Sequence, residues 1–481
     1  MMLASCQLLS TPLLPKTSMT EQATRRQSNR GHSTHELSAR LQGRSTVQFT
    51  GRVVRAIGTS LRVSGLPVRI GQRCEVYDRL SGTSVLADVV GIDKGDAVLV
   101  PLGGIQGVAV DSTVRIVSEQ ATVPIGDSLF GRIVDGFGEV LDDQGELEGI
   151  HQTPLHRAAP NPLNRQRVRN RFNTGVRVID TLMTVGIGQR LGIFAPAGVG
   201  KSTLLGMLAR HAQADVIVVG LIGERGREVK EFLEDALSDE ARSRAVVVVA
   251  TSDRPAMERV QAAITATAIA EGFRDSGKQV LLLMDSVTRF ARAVREVGLA
   301  VGEPPVRQGF TPSVFAELPR LFERAGNNET GSMTAFYTVL SDDDDGLDPV
   351  SEETRAILDG HIILSRTIAE QNQFPAIDVL ASLSRLARQL TTEQEQQAAG
   401  QLRSLLAKYR DIEFLIQVGE YKAGSDALAD EAIQRQAAIK EFLQQVPEAG
   451  MSSDESTVLL LKLLDMGGQS QSSDLPATSV S

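Results

Sequence analysis

The chain has 481 residues, 42% of them apolar, with a formal net charge of −9, which leaves room for two to four domains with proper cores. The acidic balance argues against non-specific nucleic-acid binding as the main activity, since that needs an excess of Lys and Arg against phosphates, although a local basic groove stays open. Cys6 and Cys74 are the only cysteines, and the six histidines show no metal-ligand spacing. Neither a disulfide framework nor a structural zinc is therefore supported, and a reducing cytoplasm is the default.

No apolar stretch approaches the roughly 18 residues of a membrane span, so any membrane association is expected to be peripheral. Residues 1–45 read as a flexible basic N-terminal extension. Lys16, Arg25, Arg26, Arg30, Arg40 and Arg44 stand against Glu21 and Glu36, so this segment carries +4 and the rest of the chain −13. A transit peptide and an arm for a partner or an acidic membrane surface fit that pattern equally well. Residues 46–119 show short alternating runs, Val47–Val54, Leu61–Val63, Cys74–Tyr77, Ser84–Val90 and Asp96–Val100, separated by glycine-containing turns. They predict a small β-barrel.

Residues 120–390 form the next unit, entered through turn-rich segments such as Val134–Gly138 and Ala158–Pro162. From Gly188 onward apolar runs alternate with helical patterns: Leu191–Phe194, Val216–Leu221, Ala245–Ala250, Val280–Met284, Met333–Val339 and Ile362–Leu364. This alternation predicts an α/β fold, a parallel sheet with helices on both faces. After the first run comes Ala195-Pro196-Ala197-Gly198-Val199-Gly200-Lys201-Ser202-Thr203 and then a helical pattern. A glycine-containing turn between strand and helix is a phosphate cradle: backbone N–H groups and the helix N-terminus hold phosphate oxygens, Lys201 adds a full charge, and the Ser202 hydroxyl is a Mg²⁺ ligand. The strict pattern begins with Gly where this one has Ala195.

Two further apolar runs end on acids, Asp215–Glu224 and Gln279–Asp285. Ligands of open parallel sheets sit at the carboxyl ends of strands, which puts Glu224 where it orients or deprotonates a water and Asp285 where it coordinates Mg²⁺. The competing readings are a solvated, helix-starting Glu224 and an Asp285 that merely caps the helix from Thr288. Beyond Thr391 the pattern is helical through residues 391–466, with candidates at Gln394–Val418, Leu428–Gln445 and Thr457–Met466. Residues 467–481 are Ser- and Gln-rich and read as a disordered tail.

The segments Gly223–Phe232, Leu281–Arg292, Gly302–Pro305, Pro312–Arg320 and Ile357–Arg366, over a span of about residues 46–465, resemble the type III secretion ATPases of the rotary ATPase superfamily. The Ala-Pro-Ala of the phosphate loop and the Ala245–Ser252 segment resemble the injectisome branch more than the flagellar one. Departures are Thr311, where relatives tend to have Pro, the acidic run Asp342–Asp345 with Asp348, and the length of the basic extension. The resemblance implies a RecA-like P-loop core between an N-terminal β-barrel and a C-terminal helical domain. It also implies an ATP-hydrolysing homohexamer that powers protein export, releasing chaperones and unfolding substrates at the cytoplasmic face of the inner membrane, with stator, central-stalk and chaperone–effector partners.

On this resemblance Arg385 matches the arginine finger that enters the neighbour's site, and Phe374 the aromatic that packs on adenine. A structural ion pair and an ordinary core Phe compete with those roles. Arg225 stands between a phosphate sensor and a solvated salt bridge. Gly302–Pro305, stiffened by Pro304 and Pro305, is expected to be a substrate- or stalk-contacting loop, with a rigid surface turn as the alternative. The rivals are a subunit of a rotary ATP synthase or proton pump and a ring-shaped nucleic-acid translocase. The second is disfavoured because Phe49 and Tyr77 are the only aromatics in residues 46–119, too few for a base-stacking platform.

Overall fold

The structure, a computed structural model, describes residues 49–57, 59–341 and 348–465. The basic extension, the acidic run Asp342–Asp345 and the tail lie outside the described residues.

Six strands close a barrel: β1 (Thr50–Ile57), β2 (Ser60–Ser64), β3 (Arg73–Tyr77), β4 (Ser84–Asp93), β5 (Asp96–Pro101) and β6 (Thr113–Ser118), in the order β1-β2-β5-β4-β3-β6. Alternation drives β2 and β3: Leu61 and Val63, and Cys74 and Val76, point inward and are fully or almost fully buried, while their neighbours are less buried or exposed; β5 is buried from Ala97 to Pro101. The sixth strand, Thr-Val-Arg-Ile-Val-Ser, is absent from the sequence reading, yet it closes the barrel by pairing with both β1 and β3. Gly51 is required in β1, because a Cβ there would lie 2.7 Å from the Val63 side chain.

Four short strands follow, β7 (Thr122–Ile125), β8 (Ile133–Val134), β9 (His151–Pro154) and β10 (Arg171–Phe172), and then β11 (Val185–Gly186). The central sheet is built from β12 (Arg190–Ala195), β13 (Val216–Ile222), β14 (Ala245–Ala250), β15 (Gln279–Asp285), β16 (Ser332–Leu340), β17 (Gly360–Ile363) and β18 (Leu383–Ser384). With β8 its order is β18-β17-β12-β16-β15-β13-β14-β8, parallel except for β18. Val134, part of a segment expected to be turn, is buried and pairs with Val248 at the sheet margin. Two residues carry no readable period, which is why sequence inspection passes over such a strand.

Every residue of β13 is buried, as a strand covered on both faces demands. Val216 and Val218 belong to a core shared with the Ala256–Asp275 and Val287–Val301 helices, and Ile217 and Val219 to the core on the other face, shared with the Lys201–His211 helix and the C-terminal helices. Those last helices run Glu393–Gln417, Ala427–Leu443 and Ser453–Leu463. The third begins four residues before its expected start. Ser452 and Glu455 form a capping box there, a signal that precedes the apolar run and outweighs it in setting the start.

Candidate active site

β12 ends at Ala195, and the chain turns through Pro196, Ala197, Gly198 and Val199 to Gly200, which caps the Lys201–His211 helix. Gly200 adopts a left-handed conformation with φ 87°, which costs a side-chain-bearing residue about 1 kcal/mol and turns the first helical N–H groups toward the loop. Val199 is buried under the turn, whereas Ser202 and Thr203 are exposed in the first turn. A Cβ on Gly200 would touch the ring of Phe374 at 3.5 Å. Phe374 is therefore no core residue: it is 40% exposed and stands over the phosphate loop.

β13 and β15 are neighbours, with Leu221 opposite Asp285. Their carboxyl ends bring Glu224 and Asp285 to Lys201, whose Nζ lies 2.5 Å from Asp285 Oδ1 and 3.9 Å from Glu224 Oε1. Both competing readings of the acids fail. Glu224 is 8% exposed rather than solvated. Asp285 does not cap the following helix, because the Ser286 side chain does so by accepting from the Arg289 N–H. Asp285 is thereby free to face the loop.

Arg289, a residue not singled out from the sequence, completes the cluster: its Nε lies 4.0 Å from Glu224 Oε1, and neither of these buried atoms has a hydrogen-bond partner among the described residues. Its signal was its place, four residues after Asp285 and so on the helix's first turn beside the strand end. Arg225, in contrast, points outward. Its side chain is 74% exposed and pairs with Glu228 at 3.1 Å.

Burial raises the Glu224 carboxyl, and the nearby charge of Asp285 raises it further, to about 7 against the pull of Lys201. Glu224 holds its proton below that pH and is a base only above it. We expect log(kcat/KM) to rise with pH through an apparent pKa near 7 in the free enzyme. A profile flat between pH 6 and 8 would count against Glu224 as the titrating base.

Among the described residues no three His, Cys, Asp or Glu side chains are grouped to hold a metal. One carboxylate and one hydroxyl, Asp285 and Ser202, remain. That donor set suits Mg²⁺, which takes its other ligands from phosphates and water.

Arg385 lies elsewhere. Its N–H donates to the Asp359 carbonyl, and the Asp359 N–H donates to Arg190 at the start of β12. From that rung β12 still runs five residues to the phosphate loop, about 17 Å at the usual rise. Arg385 is exposed at the end of β18, the marginal strand of the sheet. The Gly302–Pro305 loop follows a helix that runs to Val301 and ends on Gly302 in a left-handed conformation. Glu303 is not free in it, because its Oε2 accepts from the Ser313 N–H at 3.2 Å. Thr311 is fully buried and its hydroxyl hydrogen-bonds Ser313 at 2.8 Å. Asp348 caps the Pro349–Ile357 helix.

A phosphate loop, two strand-end carboxylates and a parallel sheet define a P-loop nucleotide-hydrolysing protein, and comparison places it more narrowly. A family model described as ATP synthase alpha/beta family, nucleotide-binding domain, matches residues 175–384, and one described as T3SS EscN ATPase C-terminal domain matches residues 391–462. A type 3 secretion system ATPase of Xanthomonas euvesicatoria is 56% identical over 411 residues, 85% of this chain and 93% of that protein. The flagellum-specific ATP synthase of Bacillus subtilis is 48% identical over 414 residues, 86% of this chain and 94% of that protein.

Among solved structures, the assembled ATPase EscN of enteropathogenic E. coli superposes with a TM-score of 0.82 at 46% identity, covering 86% of this chain and all of that one. EscN in complex with its central stalk EscO gives 0.80 over the same shares. The chain belongs to the type 3 secretion system ATPase family, within the ATP synthase alpha/beta family. It is an enzyme that hydrolyses ATP to power protein export, and the match of residues 391–462 to the EscN-type C-terminal domain sets it apart from a rotary ATP synthase subunit.

Proposed function

We propose that this ATPase works as a homohexameric ring in which each site is completed across a subunit boundary by the neighbour's Arg385. The single observation that carries this is the distance between Arg385 and its own phosphate loop: the two lie at opposite ends of β12, farther apart than an arginine side chain reaches. A finger useless to its own subunit stands on the sheet margin, where a second copy meets it.

In that site the backbone of Gly198–Thr203 cradles phosphates, Phe374 stacks on the adenine, and Lys201 leaves its ion pair with Asp285 to neutralise the outer phosphates. Ser202 and Asp285 would hold Mg²⁺, which when bound would offset charge on the phosphate oxygens. Glu224 positions the attacking water, and Arg289 is its cationic neighbour. Lys201 and the partner's guanidinium meet the charge that develops on the transferred group. In its exposed pair with Glu228, Arg225 is a phosphate sensor only if that pair opens.

In this reading the ring works at the cytoplasmic face of the inner membrane as a peripheral assembly. No helix among the described residues is long and apolar enough to cross a membrane. A central stalk, as in the EscN–EscO complex, a stator and chaperone–effector complexes are its partners; nucleic acid is not. Specific ATPase activity should rise with protein concentration in step with the hexamer fraction seen by mass photometry. Activity independent of concentration, with only monomers present, would overturn the shared-site reading.

The Gly302–Pro305 loop is assigned to coupling. Because Glu303 holds the N-terminus of the Pro312–Phe322 helix, the informative change spares it. Replacing Pro304 and Pro305 by glycine should leave basal hydrolysis within about twofold, since the loop is away from the phosphate site, and should reduce export more than tenfold by removing the stiffness. Normal secretion by a strain carrying that change would leave the loop a surface turn.

A further inference from the structure

Thr338 lies in the middle of the sheet, on β16, with Ile193 of β12 beside it on one flank and β15 on the other, where Met284 pairs with Tyr337. It is fully buried. Valine has the same shape and an equal liking for a buried strand, so neither packing nor propensity calls for a hydroxyl here. A buried hydroxyl costs free energy unless it is bonded. This one donates to Asp285 Oδ1 at 2.7 Å, with the Met284 carbonyl at 3.3 Å as a longer alternative.

Oδ1 is also the atom that accepts from Lys201 Nζ. Asp285 thus has two donors of different kinds: a long flexible cation whose charge the triphosphate also attracts, and a short β-branched hydroxyl fixed in the strand next to it. The end of β16 is itself tied down, because the Leu340 N–H donates to Thr288 Oγ1 at 2.9 Å, in the helix that follows Asp285. The carboxylate is therefore referenced to the sheet independently of Lys201.

We propose that Thr338 is a positioning residue for the divalent metal site: it holds the Asp285 carboxylate in its metal-facing orientation when Lys201 turns to the phosphates. This rests on the reading of Asp285 as the metal carboxylate. Once Lys201 is withdrawn, Thr338 is the donor left on Oδ1; without it the carboxylate swings freely and metal affinity drops, as when outer partners of metal ligands are removed, typically by about 10- to 100-fold.

The test is the affinity of a fluorescent ATP analogue measured twice, in EDTA and in Mg²⁺, for the full chain and for Thr338→Val, Thr338→Ser, Thr338→Ala and Asp285→Asn. Thr338→Val should keep the EDTA affinity within about twofold and lose about tenfold of the gain that Mg²⁺ confers. Thr338→Ala should match it, and Thr338→Ser, which keeps the hydroxyl, should recover most of the gain. If Asp285→Asn loses the Mg²⁺ gain and Thr338→Val and Thr338→Ala keep it, the positioning role is overturned while the metal site stands. If Thr338→Ser is as impaired as Thr338→Val, the hydroxyl is not responsible, and the proposal falls on that ground. An Asp285→Asn variant with an undiminished gain would remove the underlying reading, and this inference with it.

Discussion

Glu224→Gln is expected to bind nucleotide within a few-fold of the parent chain and to lose turnover by about 10²- to 10⁴-fold, the usual contribution of a positioned general base. The change is close to isosteric, and because Glu224 Oε1 lacks a hydrogen-bond partner among the described residues, the fold gives up only its long ion pairs with Lys201 at 3.9 Å and Arg289 at 4.0 Å. Gln also removes a carboxylate from beside Asp285. This relieves repulsion rather than adding it, and stability should not fall.

Lys201→Ala separates from it in kind. It removes a charge that acts on the bound triphosphate and more strongly on the charge developing in the transition state, so affinity should drop by about 10- to 100-fold, the worth of a charged hydrogen bond, and turnover should disappear. It also leaves Asp285, 4% exposed, without its ion pair, so a melting curve belongs beside the assay. Binding titrations and phosphate-release assays on both variants check the pair. Near-normal hydrolysis by Glu224→Gln would remove the base assignment whatever Lys201→Ala does.

Arg385→Ala should cost about 10³- to 10⁵-fold in turnover, roughly 4 to 7 kcal/mol of barrier, as for arginine fingers in other phosphoryl-transfer enzymes. A large loss alone does not show where the guanidinium acts. Mixed rings do. A subunit with Arg385→Ala retains its own Lys201 and Glu224, and a subunit with Lys201→Ala retains Arg385. Where the second lies beside the first in the correct order, one whole site is formed, and two inactive proteins should together regain a fraction of wild-type turnover set by the mixing ratio. Co-assembly is verified by two different tags on one particle. Verified mixed rings with no recovered activity would mean that Arg385 serves its own subunit or only the fold, against the rung that joins it to Asp359 and Arg190 at the far end of β12.

The parts of this protein legible in the chain are those whose cause is local. The phosphate loop could be read because a tight turn into a helix needs glycine and the phosphates held there need a lysine beside it, and β13 because a strand covered on both faces must be apolar throughout. Most of the barrel's strands show as short alternating runs, and the C-terminal helices show as helical stretches, although the cap that starts the third was passed over. Strands of two residues, β8, β10, β11 and β18, have no period to show. Arg289 was invisible for a different reason: an arginine on a helix is ordinary until the strand before it delivers that helix to Glu224.

Sequence by itself determined which residues were available at each strand end and that a triphosphate would be held between strand and helix, since those follow from bonds and angles within a dozen residues. Tertiary structure decided what these residues face. Only the order β12-β16-β15-β13 sets Thr338 beside Asp285 and draws Lys201, Asp285 and Glu224 together. Only the same sheet carries Arg385 to the margin away from its own loop. Side-chain pairing across a sheet depends on which strands are neighbours, and for parallel strands joined through helices that choice is made by the burial of both faces, not by any residue near the pair.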